Sequence, residues 1–321
     1  MIVVTGAAGF ISSCLITKLN NLDKKNLILV DDFSNHQKNK NLQNKSFIKK
    51  IDRTIFLDWF KSNTFNIKQV YHIGARTDTM DSDVAIFDKL NLNYSKKLWE
   101  ICTQYSIPFI YASSAATYGL GEFGFEDNHD IVSKLKPLNP YAVSKNNFDQ
   151  WVLNQNDHPP FWAGVKFFNV YGPNEFHKGR MSSVVFHAFN QIKKTGSVGL
   201  FKSYNEKYKD GEQLRDFIYV KDVIDILVVM MDMKTQSGLF NIGSGKSRTF
   251  NDLVNATFKA MDVKCNIRYI DMPIGIRDQY QYFTKANTKK IRDVYNINYF
   301  TELEKGVFDY VTNYLIEDKY F

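Results

Sequence analysis

The chain opens on four β-forming positions, Ile2, Val3, Val4 and Thr5, that run straight into Gly6-Ala7-Ala8-Gly9 and then into a helical pattern reaching about Asn20. A strand, a glycine-bearing turn and a helix in that order form a phosphate-binding turn. Gly6 permits the tight backbone reversal, Gly9 lets the chain approach a pyrophosphate, and the helix N-terminus presents free N–H groups and a positive dipole to it. The third small position is Ser12 instead of glycine, which suits close helix–strand packing less well.

Further β-rich runs at 27–30, 70–73 and 109–112 are separated by helical stretches, and a strand at 163–170 follows a helix that begins near Tyr141. Late strands are expected at 217–220 and 239–242. Strands alternating with helices predict an α/β fold, a doubly wound parallel sheet of the Rossmann type. Residues 171–215, and those from 245 onward, carry longer loops and short helices, where a substrate-capping region would sit. The expected division is a cofactor-binding domain over 1–170, with about 216–244 returning to it, and a smaller interleaved domain over 171–321 that is mainly substrate-binding.

Composition narrows the setting. With 321 residues, 44% of them hydrophobic, the chain can bury a sizeable core and is not expected to be disordered. Met1 leads directly into the first strand with no basic leader, and the densest apolar stretch, 224–231, falls far short of the roughly 18 residues of a membrane span. No membrane partner is expected. Cys14, Cys102 and Cys265 lack any paired spacing, which predicts a reducing, cytoplasmic setting, and the six scattered histidines suggest no metal site. The net charge of +7 suits an anionic partner, but the lysines are spread along the chain as on a solvated surface and form no nucleic-acid-binding stripe.

The second strand ends in Asp31-Asp32, where an acidic side chain normally accepts hydrogen bonds from an adenosine ribose and so suggests NAD. Lys38 and Arg53 are equally able to pair with a 2′-phosphate, so the residues by themselves allow NAD or NADP. After the strand at 109–112 comes Ser114, and 27 residues beyond it Tyr141, four positions before Lys145. Tyr141 and Lys145 share a helix face. Moving a phenol from its usual pKa of about 10 towards 7 takes roughly 4 kcal/mol of preferential phenolate stabilisation, for which Lys145 and an oxidised nicotinamide supply positive charge. Ser114 can hydrogen-bond the same substrate oxygen while Tyr141 takes or returns its proton.

These residues resemble the extended short-chain dehydrogenase/reductase family over essentially the whole chain, and within it the sugar-nucleotide epimerases. Phe168-Asn169-Val170-Tyr171-Gly172-Pro173, the following 175–187 segment with His177-Lys178-Gly179-Arg180, and Leu214-Arg215-Asp216 preceded by Leu200-Phe201-Lys202-Ser203 are similar to the branch that epimerises an ADP-activated heptose at C6. The resemblance implies that Tyr141 and Lys178 act as two acid/base groups on opposite sides of the sugar. It places Gly6, Gly9, Phe10, Ile11, Asp31, Asp32, Lys38, Arg53, Asn91, Tyr141, Lys145, Val170 and Lys178 on NADP, and Asn169, His187, Phe201, Lys202, Ser203, Arg215 and Tyr280 on the substrate. Arg180 departs from the family pattern; it either reaches the substrate diphosphate or is a solvated helix-start residue. The implied reaction is transient oxidation at C6 and re-reduction from the other face. The implied assembly is a homo-oligomer, a pentamer by resemblance, serving the heptose of the lipopolysaccharide inner core.

Two other readings use the same trio. A UDP-hexose 4-epimerase would share Ser114, Tyr141 and Lys145 without needing Lys178, and a non-catalytic cofactor-sensing protein would keep the glycine turn alone. A dehydratase is disfavoured because Ala115 and Ala116, not carboxylates, follow Ser114.

Overall fold

Apolar residues alternate between two cores along the first strand: Ile2 and Val4 face one, Val3 the other. The same alternation repeats in Leu27 and Leu29 against Ile28 and Val30, as required of a sheet covered on both faces. The computed structural model describes residues 1–277 and 280–321, the side chain of Ile276 excepted. Its strands in chain order are β1 (Ile2–Thr5), β2 (Leu27–Asp31), β3 (Lys49–Asp52), β4 (Gln69–His72), β5 (Phe109–Ser114), β6 (Trp162–Phe167), β7 (Asn169–Tyr171), β8 (Val198–Phe201), β9 (Leu214–Tyr219), β10 (Gly238–Ile242), β11 (Ser247–Thr249) and β12 (Ile267–Ile270). Seven of them form a parallel sheet in the order β10-β6-β5-β4-β1-β2-β3, the doubly wound arrangement expected.

The longer helices are α1 (Phe10–Asn21), α2 (Arg53–Lys61), α3 (Tyr94–Gln104), α4 (Pro140–Leu153), α5 (Val184–Thr195), α6 (Val220–Met233), α7 (Phe250–Ala260) and α8 (Leu303–Tyr310). Leu15, Leu19, Leu227 and Met231 from α1 and α6 pack on one face of the sheet. Phe56, Phe60, Trp99, Phe148 and Val152 from α2, α3 and α4 cover the other. Among the described residues no helix is long and apolar enough to cross a membrane.

Three features differ from the sequence expectations. The run at 163–170 is two strands, because at Phe168, whose N–H donates to the Ile242 carbonyl at 3.0 Å, the chain leaves the large sheet; β7 then pairs with β9. β9 lies in a three-stranded sheet, β11-β9-β7, so within 216–244 only α6 and β10 return to the large sheet. β3, β8, β11 and β12 carry too little apolar alternation to be read as strands; β3 is an edge strand whose Lys49 and Lys50 are exposed.

The sheet reverses its winding between β1 and β4, which is where such folds bind ligands, beyond the carboxyl ends of the strands. Gly6 and Gly74 meet there. Gly6 has φ +63°, and a Cβ on it would stand 2.5 Å from the Gly74 Cα, so neither position tolerates a side chain.

Candidate active site

The turn after β1 is held by the end of β2. Asp31 is buried, accepts the Ala8 N–H at 2.9 Å on one oxygen, and takes the Lys38 ammonium at 2.6 Å on the other. Arg53 Nη2 donates to Asp32 at 3.1 Å. The two cations named for a 2′-phosphate thus stand beside the two acids named for a ribose. The N-terminus of α1 has no side-chain cap, which leaves its first-turn N–H groups at Phe10 and Ile11 to an anion. Ser12 proves compatible with close packing: its buried hydroxyl donates to the Thr5 carbonyl at 3.0 Å and ties helix to strand. The residues present therefore fit a dinucleotide.

On the other side of β4, Ser114 ends β5 and accepts the Ala116 N–H at 3.1 Å. Tyr141 enters on the first turn of α4, started by Pro140 and capped by Asn139, whose side chain accepts the Ala142 N–H at 2.9 Å. Burial raises the Tyr141 phenol above its ordinary pKa, opposed by a hydrogen bond to Ser114. Lys145 is buried, donates to the Ala112 carbonyl at 2.7 Å, and is brought down to about 8 by burial against the attraction of Asp149. The expectation that Lys145 lowers the phenol is thus not met by the protein alone, since the ammonium is engaged by a carbonyl and desolvation dominates.

Asn91 organises the space between these walls. It lies in a π-helical stretch, Asp88–Asn93, a wide turn that helices often carry at functional sites. Its side chain accepts the Arg76 N–H at 2.8 Å, donates to the Arg76 carbonyl at 3.0 Å, and donates to the Ser144 hydroxyl on α4 at 3.0 Å. It therefore fixes the loop after β4 to the helix bearing Tyr141.

The segment 174–183 touches both the turn after β1 and the loop after β4. Lys178 Nζ stands 4.8 Å above the Phe10 ring and 3.5 Å from Glu175 Oε1, against the cofactor turn. Arg180 is exposed and its Nη2 donates to both oxygens of Asp78, at 2.9 and 2.7 Å, which ties it to the loop after β4. His187, on the first turns of α5, lies with Nε2 3.3 Å from the Arg180 carbonyl.

Toward the smaller sheets, Arg215 is buried with its guanidinium 5.2 Å from the Tyr280 ring and 5.6 Å from Phe250. Its Nη1 donates to the Leu214 carbonyl at 2.9 Å, and no carboxylate pairs with it among the described residues. Burial works against its charge, so a guanidinium placed this way favours an anionic guest. Asn169 is exposed on β7 beside the partly buried Val170, and Phe201 ends β8. Lys202 and Ser203 are turned to internal contacts, Lys202 with Asp271 at 3.1 Å and Ser203 with Asn205 and Asp210.

Sequence reasoning passed over three groups. Asp149, one helical turn beyond Lys145, forms a buried 2.6 Å ion pair with Lys166, which also donates to Thr117 at 2.8 Å; Thr117 in turn donates to the Ser114 carbonyl at 2.8 Å. Its i+4 spacing from Lys145 was the available signal. Glu175 is wholly buried and accepts the N–H and hydroxyl of Ser183, at 2.9 and 2.6 Å. Asp216 gathers the N–H groups of Ser244, Gly245 and Ala286, at 2.7, 2.9 and 2.9 Å, next to Arg215.

The sequence model of the NAD dependent epimerase/dehydratase family matches residues 2–243. The ADP-L-glycero-D-manno-heptose-6-epimerase of Fusobacterium nucleatum is 46% identical over 331 aligned positions, 100% of each chain. The crystal structure of the Helicobacter pylori ADP-L-glycero-D-manno-heptose-6-epimerase superposes with a TM-score of 0.80 at 27% identity, covering 97% of this chain and 95% of that one. MoeE5 in complex with UDP-glucose and NAD superposes with a TM-score of 0.79 at 25% identity, covering 99% of both. Matched over most of its length by the family model and end to end by a close relative, the chain belongs to the NAD dependent epimerase/dehydratase family.

Proposed function

We propose that the protein inverts C6 of the heptose in ADP-D-glycero-D-manno-heptose, giving the L-glycero epimer, with NADP as its resident cofactor. The observation that carries this reading is Lys178, an ammonium set over Phe10 at the cofactor turn and separate from the Ser114–Tyr141 wall. A 4-epimerase has no use for it. The full-length relatives named as ADP-heptose 6-epimerases support the same substrate.

A nicotinamide dinucleotide bound at the Gly6–Gly9 turn supplies the hydride acceptor and donor. The chain does the rest. Ser114 orients the C6 oxygen, Tyr141 takes and returns its proton in one binding orientation, and Lys178 serves the other. Lys145 stabilises the phenolate once it is drawn towards the phenol. Arg215 holds the substrate diphosphate, between Phe250 and Tyr280. Lys38 and Arg53 hold the 2′-phosphate, and their pairing with Asp31 and Asp32 keeps both cations at the end of β2 until it arrives. The protein works as a homo-oligomer, a pentamer, in the cytoplasm.

Lys178→Met tests the two-base mechanism. Epimerisation is expected to fall by at least about 100-fold, the scale of a lost acid/base group, with cofactor content unchanged. Turnover within a few-fold of the parent would remove Lys178 from the reaction and weaken the case for a heptose.

A further inference from the structure

Lys178 and Arg180 flank Gly179, which has φ +53° and ψ −126° with nothing within 4 Å of where a Cβ would stand. That conformation, costly for any residue but glycine, turns the two neighbours to different walls of the cleft. Lys178 lies on Phe10, in the turn after β1; Arg180 grips Asp78, in the loop after β4. Both ends are anchored. Asn41 donates to the Ala8 carbonyl at 2.9 Å and the Asn174 carbonyl at 3.1 Å, joining the turn to the start of the crossing segment. Buried Glu175 fixes the far end through Ser183. The β4 loop is held at Arg76 by Asn91, and Asp78 accepts the Met80 N–H at 3.1 Å. A second contact, Thr79 Oγ1 to Met181 Sδ at 3.9 Å, lies beside the ion pair.

We propose that Lys178-Gly179-Arg180 is a clasp across the cofactor cleft, in which Asp78 and Arg180 are positioning residues that hold Lys178 in place and slow release of the bound dinucleotide. The strands that carry the two gripped walls are neighbours at the point where the sheet reverses, so a segment joining them passes over the ligand position. The bond to Arg180 lowers the Asp78 pKa below its ordinary value, so the pair stays charged throughout the neutral range. The proposal rests on the cofactor reading of the Gly6–Gly9 turn.

The test is a chase. Protein loaded with NADPH is mixed with excess NADP+ and the loss of NADPH fluorescence is followed for the parent, Arg180→Met, Asp78→Asn and the double variant. Asp78→Asn keeps an oxygen for the Met80 N–H, Arg180 is exposed and Asp78 only partly buried, so folding is spared. Each single change should speed release about fivefold, the upper range for one exposed ion pair, and the double variant should release no faster than either. Raising the salt should speed release from every form, by screening the shared contacts to the dinucleotide, and should narrow the gap between the parent and the variants, since only the parent also loses the Asp78–Arg180 pair. Parent-like release from both single variants, or effects that multiply in the double variant, would overturn the clasp while leaving Lys178→Met to judge the two-base mechanism separately. A parent that binds no NADPH would overturn the cofactor reading and the clasp with it.

Discussion

A phenol buried away from cations is a weak acid and so a poor source of phenolate, and Tyr141 is in that condition, raised by desolvation with only Ser114 opposing. Its usefulness depends on charge brought beside it, from Lys145 and from the oxidised cofactor. Tyr141→Phe should lower kcat by about 100-fold or more while leaving the folded state and cofactor content intact, measured by turnover and by absorbance of the released dinucleotide. Near-parent turnover would exclude the phenol. Lys145, brought down to about 8, is charged below that pH and neutral above it. Steps that need its ammonium are therefore supported at neutral pH and fail as pH rises through about 8, so kcat should decline there; a profile flat to pH 10 would contradict that role. Ser114, Tyr141 and Lys145 were legible because their chemistry is written in residue type and spacing. Asp78 was not, since its partner Arg180 lies 102 positions away and leaves no local pattern.

His72 shows what an element-level contact does. Its Nδ1 lies 2.7 Å from the Thr5 hydroxyl on β1 and its Nε2 2.8 Å from the Ser95 hydroxyl on α3, so one imidazole links strand, neighbouring strand and covering helix. Burial, helped by the Lys145 charge, holds it at about 3. Its folded pKa is below its unfolded value of 6.5, so the unfolded chain binds the extra proton between the two. Stability is thus complete above pH 6.5 and falls as pH drops from there towards 3, by up to about 1.4 kcal/mol per pH unit. His177, lowered to about 4 by burial, adds a loss of the same sign. In urea titrations from pH 7 to 4.5, His72→Gln should lose about one proton's share of that slope. An unchanged slope would show that His72 is not buried neutral. At this scale the central strands were readable from apolar alternation, whereas the split at Phe168 was not, because β-forming residues resume at Val170 and Tyr171 and the break shows only in the pairing with Ile242.

For the whole molecule, the doubly wound sheet followed from the order of strands and helices, and the division of the later chain did not. Nothing local distinguishes β9 from β10, yet one joins the small sheet and the other the large, according to where the intervening α6 packs against α1. The proposed ligand arrangement spans both parts, with Lys38 and Arg53 at the edge of the large sheet and Arg215 in the small one. A reaction that returns its hydride each cycle has no need to exchange its cofactor, so purified protein should retain nicotinamide dinucleotide, with NADP dominant in mass spectra of the denatured supernatant. Finding only NAD would contradict the role given to Lys38 and Arg53. The most direct measurement is incubation of the purified protein with ADP-D-glycero-β-D-manno-heptose, with the two C6 epimers resolved chromatographically and UDP-glucose run alongside. A mixture of both heptose epimers is expected from the single starting one, with no external oxidant or reductant, and no change in UDP-glucose. An unaltered heptose beside UDP-glucose converted at C4 would contradict it.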